Sequence, residues 1–178
     1  MAGRLEMTGY VLDTSVVCKW FSDRNESDLE NAQDLRRGIL EGDYSITIPD
    51  LLFYELSNAL RFNPGLSSEE VNEAVEAVFQ LEFDVRNISA DLATNAVKLA
   101  YSFNVTVYDA CFLALAQNER KMLITADYKF RERVKGAKNI LGLADFTPIP
   151  GGKKRKRPST LKDFRGVLSA KEKTGRRN

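Results

Sequence analysis

Short apolar runs alternating with amphipathic ones set the plan of this chain. Gly9–Leu12, Tyr44–Ile48 and Met122–Thr125 are brief and largely apolar. Such runs suit strands of a sheet that is covered on both faces. Phe83–Arg86 and Asn139–Leu141 are weaker candidates of the same kind. Between them the period becomes helical. Leu29–Leu40 follows Ser27 and Asp28, and Asp50–Phe62 follows Pro49, a residue suited to a helix entry. Ser67 and Glu70 have the spacing of a capping box opening Val71–Phe79. Ala90–Phe103 and Tyr108–Arg120 complete the main helices. Strands alternating with helices predict an α/β sandwich on a mainly parallel sheet, in which ligands bind at the carboxyl ends of the strands.

Composition narrows the chemistry. With 178 residues, 20.0 kDa and 43% hydrophobic content, the chain suits one domain with a substantial core. No apolar stretch is long enough to span a bilayer, and the first residues lack the apolar centre of a signal peptide. The only cysteines, Cys18 and Cys111, both fall in predicted helices, so a disulfide framework is not expected and a reducing cytoplasm is the expected setting. Histidine is absent. That excludes Ser-His-Asp and Cys-His nucleophiles, a histidine general base and histidine-ligated zinc. Carboxylates, lysines, hydroxyls and hard cations are left.

Charge divides the chain. Residues 1–150 hold 15 Lys and Arg against 23 Asp and Glu, a net −8, while residues 151–178 hold 11 against 2, a net +9. The boundary lies at Pro148-Ile149-Pro150-Gly151-Gly152, so we expect a domain over 1–149 and a basic tail over 150–178.

Four acids stand where an acid is costly. Asp13 ends the run Tyr10-Val11-Leu12, and Asp127 follows Leu123-Ile124-Thr125-Ala126. Glu55 lies inside Leu51–Leu56, on a helix face shared with Leu51, Leu52, Ala59 and Phe62. Asp109 opens an apolar helix. Ionised carboxylates in apolar settings must be paired, capped or bound to a cation. Singly, Asp13 and Asp127 are explained as helix N-caps, and Asp109 as complementing a helix dipole. Together at one sheet edge, the four would make an oxygen-only pocket for a hard divalent metal. Ser15 and Thr125, two residues from Asp13 and Asp127, would support bound water or phosphate, or else bond the helix starts.

Leu12-Asp13-Thr14-Ser15-Val16-Val17-Cys18-Lys19-Trp20-Phe21 resembles the opening motif of PIN-domain ribonucleases, VapC-type toxins in particular. Pro49–Arg61, Tyr108–Ala116 and Leu123–Asp127 resemble their second, third and fourth motifs, in family order across about residues 8–146. The resemblance implies a PIN-like three-layer sandwich and Mg²⁺ or Mn²⁺ held by Asp13, Glu55, Asp109 and Asp127. It also implies RNA cleavage, a homodimer and an antitoxin partner. Mg²⁺ usually takes one or two carboxylates directly. We expect these to be Asp13 and Asp109, with Glu55 and Asp127 acting through water or on a second ion.

Lys19, Arg61, Lys129, Arg131 and Arg133 lie near the motifs and are candidate phosphate contacts, though solvated surface charge is the better explanation of each taken singly. Three readings fit the tail. Lys153, Lys154, Arg155, Lys156 and Arg157 add salt-sensitive RNA affinity; or Phe164 and Arg165, beside Leu161, Val167 and Leu168, resemble an antitoxin segment docking on the acids; or the tail is solvated and inert. The competing functions are an RNA-processing nuclease of the same fold without an antitoxin, and a catalytically silent nucleic-acid-binding module. A dehalogenase-like phosphatase is disfavoured, since it needs a second Asp where Ser15 stands.

Overall fold

The computed structural model describes residues 8–21 and 26–149. The basic tail, with Lys153–Arg157 and the Phe164–Arg165 segment, lies outside the described residues. Five strands form one sheet in the order β3-β2-β1-β4-β5. They are β1 (Thr8–Leu12), β2 (Tyr44–Pro49), β3 (Asp84–Arg86), β4 (Met122–Thr125) and β5 (Ile140–Gly142). Every pairing is parallel, so the expected mainly parallel sheet is wholly parallel here. The three strong sequence candidates became the three inner strands, and the two weak ones became the edges. An edge strand has one neighbour and needs little apolar length, and all three residues of β3 are exposed.

Consecutive buried residues in β1 (Val11, Leu12), β2 (Ile46, Thr47, Ile48) and β4 (Leu123, Ile124) show that both sheet faces are covered. The helices are α1 (Thr14–Cys18), α2 (Leu29–Glu41), α3 (Leu51–Arg61), α4 (Ser68–Phe79), α5 (Ala90–Phe103), α6 (Val107–Asn118) and α7 (Tyr128–Arg133). The architecture is that of the three-layer α/β sandwich expected. Helix α6 is buried from Ala110 to Ala116 and packs on β1, β2 and β4. No single helix among the described residues is long and apolar enough to cross a membrane.

Local signals start the helices much as the sequence suggests. Ser67 Oγ accepts from the Glu70 amide at 3.2 Å and the Glu70 carboxylate accepts from the Ser67 amide at 2.7 Å, the expected capping box. Ser89 caps α5 and Thr106 caps α6. The Asp28 start behaves differently. Its backbone is left-handed (φ 60°), it caps nothing, and its carboxylate accepts a 2.6 Å bond from the Tyr128 hydroxyl instead.

Helix α2 meets the sheet through a glycine. A Cβ on Gly38 would lie 2.2 Å from Cε2 of Tyr44, whose ring packs edge-on against Tyr10 and Phe146. Gly38→Ala must therefore push back either α2 or a buried ring, at a cost of about 1–3 kcal/mol. Thermal denaturation checks this, and an unchanged melting temperature would mean that the contact yields freely.

Candidate active site

Register builds the site. Leu12 pairs with Ile124, and the ladder continues one step as the Asp13 amide donates to the Ile124 carbonyl at 3.0 Å. Asp13 therefore comes to lie against Thr125 at the carboxyl end of the inner strands. Thr125 Oγ1 donates to Asp13 Oδ2 at 2.5 Å, and Ser15 Oγ donates to the same oxygen at 2.8 Å. The two hydroxyls are oriented in turn, for Ser15 Oγ accepts from the Ala126 amide and Thr125 Oγ1 from the Asp127 amide, both at 3.0 Å. Ser15 and Thr125 thus hold the Asp13 carboxylate. Asp13 stands at the N-cap position of α1 but makes no side-chain capping bond. Its carboxylate is held chiefly by the two hydroxyls, with a weaker pull from the Ser15 amide.

Glu55 arrives by a route the sequence did not reveal. The buried stripe of α3 is Leu52, Leu56 and Leu60, while Ala59 is exposed and Phe62 is 69% exposed. The expected shared face with Ala59 and Phe62 is not the buried one, because the stripe lies one residue further along. Glu55 flanks it, half-buried, and Thr14 draws it in. Thr14 Oγ1, itself buried, donates to Glu55 Oε2 at 2.6 Å. Thr14 was passed over because its partner lies 41 residues away; its place beside Asp13 was the only signal.

Electrostatics ties three acids together. Burial raises the Asp13 carboxyl above its usual range, Asp109 raises it further, and the bonds from Thr125 and Ser15 oppose this. Burial likewise raises Glu55, with Asp13 and Asp109 adding to the shift and Thr14 opposing it. Both cysteines report the same negative field. Cys18 is pushed up to about 12 by burial, then by Asp13 and Glu55, and Cys111 to about 11 by burial, then by Asp50 and Glu55. Neither is in a disulfide. Asp109 sits in the first turn of α6, where Thr106 Oγ1 accepts from its amide at 3.0 Å. Among the described residues, no Lys or Arg forms an ion pair with Asp13, Glu55, Asp109 or Asp127.

Asp127 stands apart. It follows β4 at the same sheet edge but is exposed, and its Oδ1 accepts from the Phe130 amide at 2.9 Å. It caps α7, as its position before a helix suggested. Among the described residues no three acids are drawn together tightly enough to hold a metal ion as they stand. The donor set of Asp13, Glu55 and Asp109 nevertheless suits a hard divalent cation. It is all oxygen, two of its members have pKa values raised by burial and by the charge of other members, and no basic side chain neutralises it.

The sequence model of the PIN domain family matches residues 10–136. The chain belongs to the PIN domain family. PIN domains are nucleases that generally use divalent metal ions. No curated protein matches the chain. Solved structures do. A toxin–antitoxin complex from Klebsiella pneumoniae aligns at 20% identity and a TM-score of 0.58, over 79% of this chain and 99% of that one. VapBC2 from Rickettsia felis, bound to a fragment of its promoter DNA, aligns at 18% and 0.53, over 76% and 97%. Mycobacterium tuberculosis VapC20, a toxin that cleaves the sarcin-ricin loop, aligns at 17% and 0.53, over 84% and 99%. At these identities the likeness is one of fold.

The candidate phosphate contacts of this PIN domain are mostly occupied. Lys19 donates to the Ser27 carbonyl at 2.9 Å and pairs with Glu26 at 3.3 Å. Arg131 pairs with Asp145 at 2.7 Å, and Arg61 lies 4.9 Å over the Phe62 ring. Lys129 and Arg133 on α7 are exposed and form no ion pair among the described residues.

Thr14→Val tests how Glu55 is held. Removing a group that orients a metal-binding carboxylate typically costs about 10–100-fold in affinity or activity. The expected result is a loss of that size in divalent-ion affinity with a nearly native melting temperature; unchanged affinity would make Thr14 a packing residue only.

Proposed function

We propose that this PIN domain is a metal-dependent endoribonuclease and the toxin of a VapBC-type toxin–antitoxin pair. One observation carries the nuclease reading: Asp13, Glu55 and Asp109 gather at the carboxyl edge of the sheet with no basic side chain to neutralise them. Such a cluster repels a phosphate unless a cation stands between them. Asp13, Asp109 and Glu55 would hold Mg²⁺ or Mn²⁺. When bound, the ion supplies positive charge to the scissile phosphate and makes water more acidic.

The residues of this chain do the positioning. Ser15 and Thr125 fix Asp13 by one oxygen, and Thr14 fixes Glu55 by one oxygen. Glu55, whose raised pKa makes its carboxylate the more basic, can accept a proton from the attacking water. Asp127 spends Oδ1 on the α7 cap, and its role would run through water on its other oxygen. In-line attack by water leaves a 3′-hydroxyl and a 5′-phosphate.

The toxin reading draws on the toxin–antitoxin structures that share this fold, and an antitoxin and a second copy of the chain are the proposed partners. The tail over 150–178 is proposed as a separate segment that adds RNA affinity. Cleavage of end-labelled structured RNA with Mg²⁺ or Mn²⁺, and then with a chelator, tests the activity. Cutting that requires the ion and leaves 5′-phosphates is the expected result. Binding without cutting would support a silent nucleic-acid-binding module. A small antitoxin gene immediately upstream would favour the toxin over an RNA-processing nuclease.

A further inference from the structure

Two cations stand without a protein partner on the helix that leaves the acid edge. The other residues of α7 are engaged. Tyr128 donates to Asp28 at 2.6 Å and accepts from the Ala144 amide at 3.1 Å, while Phe130, and Val134 just past the helix, are buried. Arg131 pairs with Asp145 at 2.7 Å and lies close over β5, where a Cβ on Gly142 would meet its Nη1 at 2.7 Å. Glu132 pairs with Lys135 at 2.8 Å. Lys129 and Arg133 remain, both exposed, and neither forms a side-chain hydrogen bond or ion pair among the described residues. Four residues apart, they share one face of the helix and are separated by about 6 Å along its axis.

Three hydrogen bonds tie that helix to the acids. Asp13 Oδ2 accepts from Thr125 Oγ1, Thr125 Oγ1 accepts from the Asp127 amide, and Asp127 Oδ1 accepts from the Phe130 amide. Lys129 is two residues from Asp127, so their Cα atoms lie within about 8 Å. Because β4 and β5 are parallel, α7, which joins them, runs back from the acid edge. Lys129 therefore stands at that edge and Arg133 one turn further from it. The helix dipole accounts for Arg133 in the last turn but opposes Lys129 in the first. Other exposed cations stand off this edge: Lys98 lies midway along α5, and Arg120 and Lys138 precede β4 and β5 at the opposite edge. Residues 1–150 carry a net −8, so most of this surface repels a polyanion, and free cations are where its phosphates gain.

We infer that the side chains of Lys129 and Arg133 bind two backbone phosphates of the strand being cut, and so lead it away from the acids along α7, on the β4–β5 side of the site. This rests on the nuclease reading above. Contacts to phosphate fix where a strand lies and carry no sequence information. The pair therefore sets the path of the substrate and leaves the choice of sequence to other groups.

The test uses the full chain, so that the Lys153–Arg157 run is common to every variant. Binding of single-stranded oligoribonucleotides of several sequences is measured across a salt series with a chelator present, and cleavage of the same strands with Mn²⁺. Lys129→Gln and Arg133→Gln should each lower the slope of log affinity against log salt by about 0.7, and the double variant by about 1.4. The loss should be equal for every sequence, and in cleavage KM should rise with little change in kcat. Lys129→Arg should behave as wild type. Lys98→Gln and Lys138→Gln remove the same charge away from the proposed path and should leave slope and KM unchanged. An unchanged slope in both α7 variants overturns the inference and leaves the nuclease reading standing. Equal losses in Lys98→Gln and Lys138→Gln also overturn it, since overall charge would then be the cause. A wild type that cuts nothing with Mn²⁺, while the α7 variants alone lose slope, would sink the nuclease reading and uphold the phosphate contacts.

Discussion

Asp13→Asn should cut RNA more than about a hundredfold more slowly than wild type while folding as well or better. Loss of a group that merely orients a metal-binding residue costs about 10–100-fold, so losing the central carboxylate should cost more. Asp13 takes two hydroxyl bonds on one oxygen, from Ser15 and Thr125, and faces the charge of Asp109. Asparagine keeps one carbonyl oxygen able to accept both bonds, so the local geometry should survive. It has no charge to attract a cation and none to repel Asp109. Cleavage of end-labelled RNA alongside a thermal melt checks both halves. A wild-type rate from Asp13→Asn would remove this carboxylate from the mechanism. A collapsed melting temperature would make Asp13 a structural residue first.

A divalent ion should raise the melting temperature of the wild-type protein, and by more at higher pH. The sign follows from the shifts at Asp13 and Glu55, which are raised above their ordinary values of 3.8 and 4.5. An acid whose folded pKa exceeds its unfolded one favours the folded state fully below the unfolded pKa. That contribution is lost as pH rises through the folded pKa. The metal-free protein therefore pays an increasing electrostatic penalty from this cluster as pH climbs above 4.5. A cation needs the ionised forms and relieves their repulsion, so its effect grows over the same window. With the ion at about a hundredfold over its dissociation constant, mass action gives roughly 3 kcal/mol, or about 5–10 °C in a chain of this size. Melts with and without Mn²⁺ over a pH series, in wild type and Asp13→Asn, make the comparison. The increment should shrink in acid and should be much reduced in Asp13→Asn. An increment independent of pH, or equal in the variant, would place the ion elsewhere on the protein.

What could be read from the chain varied with distance along it. The capping box at Ser67 and Glu70 involves residues three apart and is present as written. The inner strands announced themselves because burial on both faces demands apolar residues at neighbouring positions. Helix α6 could be placed but not oriented, since a helix buried from Ala110 to Ala116 has no polar face to mark its outside. The stripe of α3 was set one residue off, because Ala59 and Phe62 are apolar yet face water. Lys19 was counted among the phosphate contacts because the chain does not show that Glu26 and Ser27 occupy it.

The sequence alone determined the order of strands and helices along the chain, the places where most helices begin, and the four acids proposed for the site. These depend on side-chain period and on bonds spanning a few residues. Only the tertiary structure decided which acids meet and what holds them. Thr14 reaches Glu55 across 41 residues because α1 packs against α3, and Thr125 reaches Asp13 across 112 because β1 lies beside β4 with Leu12 opposite Ile124. The same register left Asp127 capping α7 while Asp13, Glu55 and Asp109 share one field. Strand pairing is a choice among distant partners, made by the energy of the whole sheet and its covering helices, and no local stretch of the chain contains that energy.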